Sequence, residues 1–230
     1  MKRLVFVLLG VYAWLLFGVI NRLRSEGREN LVGLPAKGVL FVSNHLTYYM
    51  DVLGIHSAIA SARCSPIDGF RHNLNVRFVA AFETLNERGF WPRVFNFAGA
   101  VLIRRTWRDG DRDVQRPLDV DDIRKVREAL DRGWLITFPQ GTTTRGAPVR
   151  KGTARIIRDC NPVVVPVFVD GFDRAFDRKG FRLLERNVDL VVRFGAPLDI
   201  RAEDSVERIV EILTAALMPG DEPGKLASGQ

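Results

Sequence analysis

Residues 39–51 read VLFVSNHLTYYMD, and the change of chemistry along that stretch decides the fold. Val39 to Val42 is a short apolar run with a β-branched bias, which predicts a buried strand. It breaks at Ser43-Asn44-His45, and residues 52–62 then carry the apolar majority of a helix. The same passage from apolar run to polar turn recurs. Ala100–Ile103 ends at Arg104-Arg105, and Trp134–Phe138 runs into Pro139-Gln140-Gly141-Thr142. Val163–Val169 and Val188–Phe194 read as two further strands, and Pro166 implies a bulge or an edge position in the first of them. Residues 78–97 read as helical in part, broken near Gly89 and Pro92. In Val120–Arg132, Ile123, Val126 and Leu130 recur at helical spacing and Gly133 is the stop. Residues 152–159 read as a short helix, and Ser205–Leu217 as an amphipathic one with Val206, Ile209, Val210, Leu213 and Leu217 on one stripe. Strands alternating with helices predict an α/β fold with a largely parallel or mixed central sheet flanked by helices. Ligands of such sheets sit beyond the carboxyl ends of the strands. Three of the polar turns lie there.

Upstream of this unit, Leu4–Ile20 (LVFVLLGVYAWLLFGVI) has no charge, with Lys2 and Arg3 before it and Arg22 and Arg24 after it. A helix of that length covers roughly 26 Å at ~1.5 Å per residue, slightly short of a hydrocarbon core of ~30 Å. Tyr12 and Trp14 sit mid-segment, so a shallow, tilted or re-entrant anchor competes with a clean span. No small-x-small site follows for a signal peptidase, and a buried core helix would show a polar face. The expected organisation is therefore a membrane-anchoring helix in residues 1–24, a catalytic or binding domain in 25–218 and a disordered tail in 219–230. The net charge of +7 suits an anionic partner, whether nucleic acid, an anionic membrane or a phosphorylated small molecule. Cys64 and Cys160 stand far apart and read as reduced thiols.

Four polar clusters carry the possible chemistry. His45 directly follows a buried strand and Asp51 follows it at short range, which fits a general base with a carboxylate to orient it. Alone, a loop histidine is more often structural, and His56 and His72 have no comparable setting. Arg104 and Arg105 leave a strand as a guanidinium pair able to clamp a phosphate, although a solvated basic turn has the same composition. In Phe138-Pro139-Gln140-Gly141-Thr142-Thr143-Thr144-Arg145, Gly141 admits backbone N–H groups close to an anion and the hydroxyls add donors. Arg150-Lys151-Gly152 extends that anion site. The fourth cluster, Val163–Phe168, offers only structure. Other chemistries lack their parts: there is no G-x-S-x-G elbow, no phosphate-binding G-x-x-x-x-G-K-[ST] loop and no His/Cys pair at metal-ligand spacing. Asp109, Asp111 and Asp113 lack the glycine and the final carboxylate of a calcium loop, since Val114 and Val120 hold those positions. Basic and aromatic residues are not interleaved as in a nucleic-acid reader.

Taken in order, these clusters resemble the glycerolipid acyltransferase family, that of bacterial 1-acylglycerol-3-phosphate acyltransferases. Gly27-Arg28-Glu29-Asn30-Leu31 looks like the family's V-x-G-x-E-N-L-P lead, and counterparts of N-H-x-x-x-x-D, G-x-x-x-I-x-R, F-P-E-G-T-R-S and V-x-P-V follow up to residue 168. The resemblance implies His45 as general base, Asp51 as its orienter and Arg105, beside Arg104, as the phosphate ligand. It implies Gly141 and Thr142 as the acceptor-binding turn, with Gln140, Arg145 and Arg150 beside them. It further implies transfer from acyl-CoA or acyl carrier protein as co-substrate, with no metal, no other cofactor and no acyl-enzyme. The partners implied are membrane lipids, a lysophospholipid acceptor and an acyl thioester donor, with no nucleic acid, at the cytoplasmic face of a bacterial inner membrane. The chain departs from the pattern in three places: five residues separate His45 from Asp51 instead of four, Gln140 replaces Glu, and Thr143 replaces the motif's arginine. Two alternatives follow: an acceptor other than lysophosphatidic acid, such as a lyso-aminolipid, or a non-catalytic lipid-binding membrane scaffold of the same fold.

Overall fold

The computed structural model describes residues 2–63, 75–81, 99–103 and 119–217. Seven strands form one sheet: β1 (Arg22–Glu26), β2 (Val39–Ser43), β3 (Val76–Ala81), β4 (Ala100–Ile103), β5 (Trp134–Thr137), β6 (Val163–Asp170) and β7 (Asp189–Phe194). Their order is β1-β7-β6-β2-β5-β3-β4. Every pairing is parallel except β6 with β7, so the sheet is mixed. Strand β2 is buried at every position, and its alternating side chains enter two separate cores. Val39 and Phe41 pack beneath helices α1 (Lys2–Trp14) and α2 (Met50–Arg63). Leu40 and Val42 face the helices Val120–Leu130, Lys151–Cys160 and Val206–Leu217 on the opposite side. Helix Val120–Leu130 starts where the Asp119 side chain accepts the Asp121 N–H, with Asp121 and Asp122 in its positive first turn.

The five strands read from apolar runs occur within a residue of their expected limits. Two strands were not legible. β1, RLRSE, has alternating exposed and half-buried residues and sits on the sheet's edge against β7, where polar chemistry is tolerated. β3, VRFVAA, begins two residues before the span read as partly helical and takes up its first four residues. Pro166 lies in β6 between two neighbours, opposite Val42 of β2, and not at an edge of the sheet. Its carbonyl accepts Gly195 N–H at 2.9 Å, just past the end of β7. Within a strand a residue's N–H and C=O point to the same side. The missing N–H therefore faces the place where the β7 ladder has already stopped.

The largest correction concerns residues 4–20. No helix among the described residues is long and apolar enough to cross a membrane. The apolar run forms α1, of 13 residues, and then a π-helical turn, Leu15–Ile20. Leu9, Ala13, Leu16 and Phe17 are buried in the domain's core, where Phe17 meets Phe172 and Phe176 edge-on with centroids at 5.9 and 6.2 Å. Buried Asn21 donates to Leu16 C=O and accepts from Val188 N–H, turning the chain directly into β1. An uncharged run of 17 residues thus serves a one-sided helix. Leu8, Val11, Trp14, Leu15 and Val19 occupy its exposed face. Arg104 and Arg105, the 109–113 acidic cluster, Cys64, His72 and the 219–230 tail lie outside the described residues.

Truncating Phe17 to Ala should lower the unfolding free energy by about 3–5 kcal/mol, whereas Val19→Ser on the exposed face should stay within about 0.5 kcal/mol. Urea melts of the two variants check this; equal effects would mean that the segment does not pack as described.

Candidate active site

The exit of β2 and the start of α2 are tied into one knot by a carboxylate. Asp51 is fully buried, and His45 is 13% exposed beside it. His45 Nδ1 lies 3.0 Å from Asp51 Oδ2. The same oxygen accepts the backbone N–H of Leu46 and, at 3.0 Å, that of Thr47. Thr47 Oγ1 donates to Oδ1 at 2.8 Å and accepts the Asp51 N–H at 3.3 Å. A buried carboxylate with this many donors is satisfied without water. The knot also answers the spacing question. His45 precedes the helix, Asp51 is its second residue, and residues 46–49 form a turn that takes up the additional residue. A carboxylate at Nδ1 holds the Nδ1–H tautomer and leaves the Nε2 lone pair as the basic site.

Asn44, the other half of the motif, does not face a ligand. Its amide donates to Val169 C=O and accepts Val169 N–H, both at 2.8 Å, so it clamps the end of β2 to β6. Its neighbour His45 is thereby held over the sheet's rim. Phe138, at the end of β5, stacks on the imidazole with centroids 4.0 Å apart and planes at 21°. The Tyr48 ring is tilted by 32° to the imidazole, with its centroid 6.4 Å away. Parallel β2 and β5 bring these two turns together because Val42 pairs with Thr137.

The turn after β5 is held from within. Gly141 donates to Phe138 C=O at 3.0 Å and has φ +64°, a conformation that favours glycine. Buried Gln140 donates its amide to Ala147 C=O at 2.9 Å. Arg150 Nε donates to Gln140 C=O at 2.8 Å. Thr142 and Thr144 hydroxyls lie 3.2 Å apart. Arg145 turns away to bind both Asp170 and Asp173, at 2.8–2.9 Å. Those carboxylates raise the guanidinium pKa above its ordinary value and, in return, hold the Asp173 carboxyl below the usual range. Of the residues expected to bind substrate, Gln140, Arg145 and Arg150 therefore brace the loop, whereas Gly141 and Thr142 present its surface.

A family profile described as Acyltransferase matches residues 22–170. The chain belongs to the acyltransferase family. Its fold is similar to that in the crystal structure of the 1-acyl-sn-glycerophosphate (LPA) acyltransferase PlsC from Thermotoga maritima. That likeness has TM-score 0.60 and 19% identity, over 92% of this chain and 75% of the other. Curated protein sequences returned no match. The acyltransferase match begins at β1 and ends with β6, so it contains both turns that meet at His45.

Sequence reasoning missed the stacking role of Phe138 and the structural role of Asn44, although both stand in the motifs. The only signal was position: each adjoins a strand end, where β2 is flanked by β5 and β6. His56, within α2, belongs to a different environment. Burial pushes its pKa down to about 4. A histidine kept neutral in the fold and titrating near its ordinary value when unfolded binds fewer protons in the native state. Its contribution is complete above about pH 6.5 and is lost as the pH falls toward 4. Stability should thus decline between pH 6.5 and 4 by on the order of 2 kcal/mol more than in His56→Gln. Chemical denaturation across that window checks this, and parallel profiles would remove His56 from the acid response.

Replacing Asp51 by Asn sets an NH₂ group against surrounding donors. Asp51→Asn should cost about 1–3 kcal/mol of stability and reduce turnover at least about 100-fold. Unfolding curves and single-turnover assays on the folded fraction measure the two effects separately. Near-normal turnover would dissociate Asp51 from the reaction.

Proposed function

We propose that the chain transfers a fatty acyl group from acyl-CoA or acyl carrier protein to the free hydroxyl of a lysophospholipid, with lysophosphatidic acid as the acceptor. The observation that carries this reading is the His45–Asp51 pair at 3.0 Å, set at the rim of an acyltransferase-family sheet. The solved relative of the same fold, described as an LPA acyltransferase, supports the choice of acceptor.

In the proposed reaction Nε2 of His45 removes the hydroxyl proton as the oxygen attacks the thioester carbonyl. Asp51 stabilises the imidazolium that forms. The tetrahedral adduct collapses with cleavage of the C–S bond, and His45 returns the proton to the departing thiolate. One C–O bond replaces one C–S bond, no acyl-enzyme forms, and no metal or other cofactor is required. Phe138 limits the imidazole's rotation, and the Gly141–Thr142 surface receives the acceptor. Arg104 and Arg105, next in the sequence after β4, remain the proposed phosphate ligands.

Access to such substrates calls for a membrane surface. The exposed apolar face of α1 and the following turn, with Leu8, Val11, Trp14, Leu15 and Val19, suits a monotopic contact within the headgroup and acyl boundary. The proposed location is therefore the membrane surface, reached without a span by this helix. A non-catalytic lipid-binding scaffold would use Asp51 for the turn but leave the Nε2 lone pair of His45 without a use.

Purified protein incubated with radiolabelled acyl-CoA and a panel of lysolipids tests the reading. Lysophosphatidic acid should be acylated, and His45→Ala should lower the rate by about 100- to 10,000-fold. Transfer to no lysolipid would overturn the assignment, and transfer only to an aminolipid would replace the acceptor.

A further inference from the structure

Arg178 lies on a turn for which no motif accounts. The turn is rigid: Asp177 Oδ1 accepts the N–H groups of Gly180, Phe181 and Arg182, and Asp177 N–H donates to Arg182 C=O. Gly180, at φ +87°, packs against Met50, where an added Cβ would meet Met50 Cγ at 3.0 Å. Phe181 stacks on Tyr49 with centroids 4.8 Å apart. The carbonyl of Arg178 itself accepts Tyr48 N–H at 3.0 Å. The turn is thus fastened to the same residues 48–50 that join His45 to α2.

The side chain completes the arrangement. Arg178 Nε donates to Thr143 Oγ1 at 3.0 Å, and its Cζ lies 5.5 Å from the centre of the Tyr48 ring. Among the described residues no carboxylate pairs with this guanidinium, in contrast with Arg145, which has two. Tyr48 in turn is 6.4 Å from the His45 ring. Those two separations, 5.5 and 6.4 Å, keep the guanidinium carbon within about 12 Å of the imidazole centre. A hydroxyl on the imidazole and a phosphate oxygen on the guanidinium each take a contact of about 2.7–2.9 Å. Because that separation is an upper limit, the few bonds between a glycerol hydroxyl and a neighbouring phosphate suffice to reach from one group to the other. Among the described residues no hydrogen bond engages its Nη atoms, and a guanidinium fork binds phosphate oxygens in pairs.

We infer that Arg178 binds the phosphate of the acceptor lipid and supplies, from a second loop, the positive charge that Thr143 does not. The assignment rests on the proposed acyl transfer and names a specificity residue for it. Arg178 holds the headgroup while His45 activates the hydroxyl, and Thr143 orients the guanidinium through Nε, leaving the Nη atoms to the ligand.

The test is steady-state kinetics on the full chain with lysophosphatidic acid and acyl-CoA each varied. Arg178→Ala should raise the KM for lysophosphatidic acid roughly 10-fold or more, with the KM for acyl-CoA unchanged. Arg178→Lys, which keeps the charge but loses the fork, should fall between the two. Adding Thr143→Arg to Arg178→Ala should recover much of the lost affinity, an outcome that a purely structural staple would not produce. Thermal melts identify any variant that fails to fold, and the lysine variant then carries the comparison. A rise confined to the KM for acyl-CoA would assign Arg178 to the donor's phosphates and overturn the inference. So would a fall in kcat with both KM values unchanged. Indifference of an active enzyme to Arg178→Ala refutes this inference alone, whereas a wild type without transfer removes the function reading and the inference together.

Discussion

A carboxylate without access to solvent dictates the form of everything around it. Asp51 has its charge buried beneath the start of α2, and a charge so placed must collect donors or be protonated. It collects them from three consecutive residues: the imidazole of His45, the N–H of Leu46, and the N–H and hydroxyl of Thr47. That requirement bends residues 46–49 into a turn, sets where the helix begins and selects the imidazole tautomer. The backbone N–H groups at a helix start are themselves partners for negative charge. Orientation of the imidazole and initiation of the helix thus depend on the same carboxylate.

The sheet supplies the second constraint. β2 lies between β5 and β6, and each neighbour sends one group to the same point. From β6, Val169 takes both hydrogen bonds of Asn44; from β5, Phe138 covers the imidazole. Two-sided burial of β2 makes its register hard to shift, since a slip of one residue would exchange the residues of two separate cores. Precision at His45 is inherited from that packing. The polar residues of the turn are free to vary only within what this frame allows.

Much of this was legible in the amino-acid order, and the failures have physical causes. Short apolar runs made β2, β4, β5, β6 and β7 legible, although only β2 and β5 are buried at every position. β1 was not, because an edge strand needs only an alternating pattern and Arg22, Arg24 and Glu26 supply polar outward positions. The N-terminal run was misread for the opposite reason. Hydropathy reports that a helix is apolar all round, but not that one side packs on a domain while Leu8, Val11 and Trp14 face outward. At the site, His45 and Asp51 were found by order along the chain, since their contact is local. The partners of Arg145 lie 25 and 28 residues away, and nothing in its neighbourhood announces them. Arg178 is more distant still from Thr143 and stands in no motif.

The departures in the turn after β5 make physical sense as a set. A carboxylate in place of the Gln140 amide would bring a negative oxygen against Ala147 C=O, where the structure has a donor. Gln140 therefore belongs to a loop closed by that hydrogen bond and by Arg150 on its own carbonyl. Closing the loop internally uses Arg150 as a brace, and the ion pairs of Arg145 with Asp170 and Asp173 fasten its far side to the end of β6. Arg145 in this way has both of its described partners in carboxylates at and after the end of β6, and Arg150 holds the loop through Nε. In the proposed reading a phosphate beside His45 draws on a further cation whose backbone is fixed relative to the imidazole. The turn of residues 177–182 satisfies that condition because Tyr48 N–H is bonded to Arg178 C=O, three residues from the catalytic candidate itself. In the proposed reading Arg178, hydrogen-bonded to Thr143, brings charge to this turn from a second loop while the frame stays.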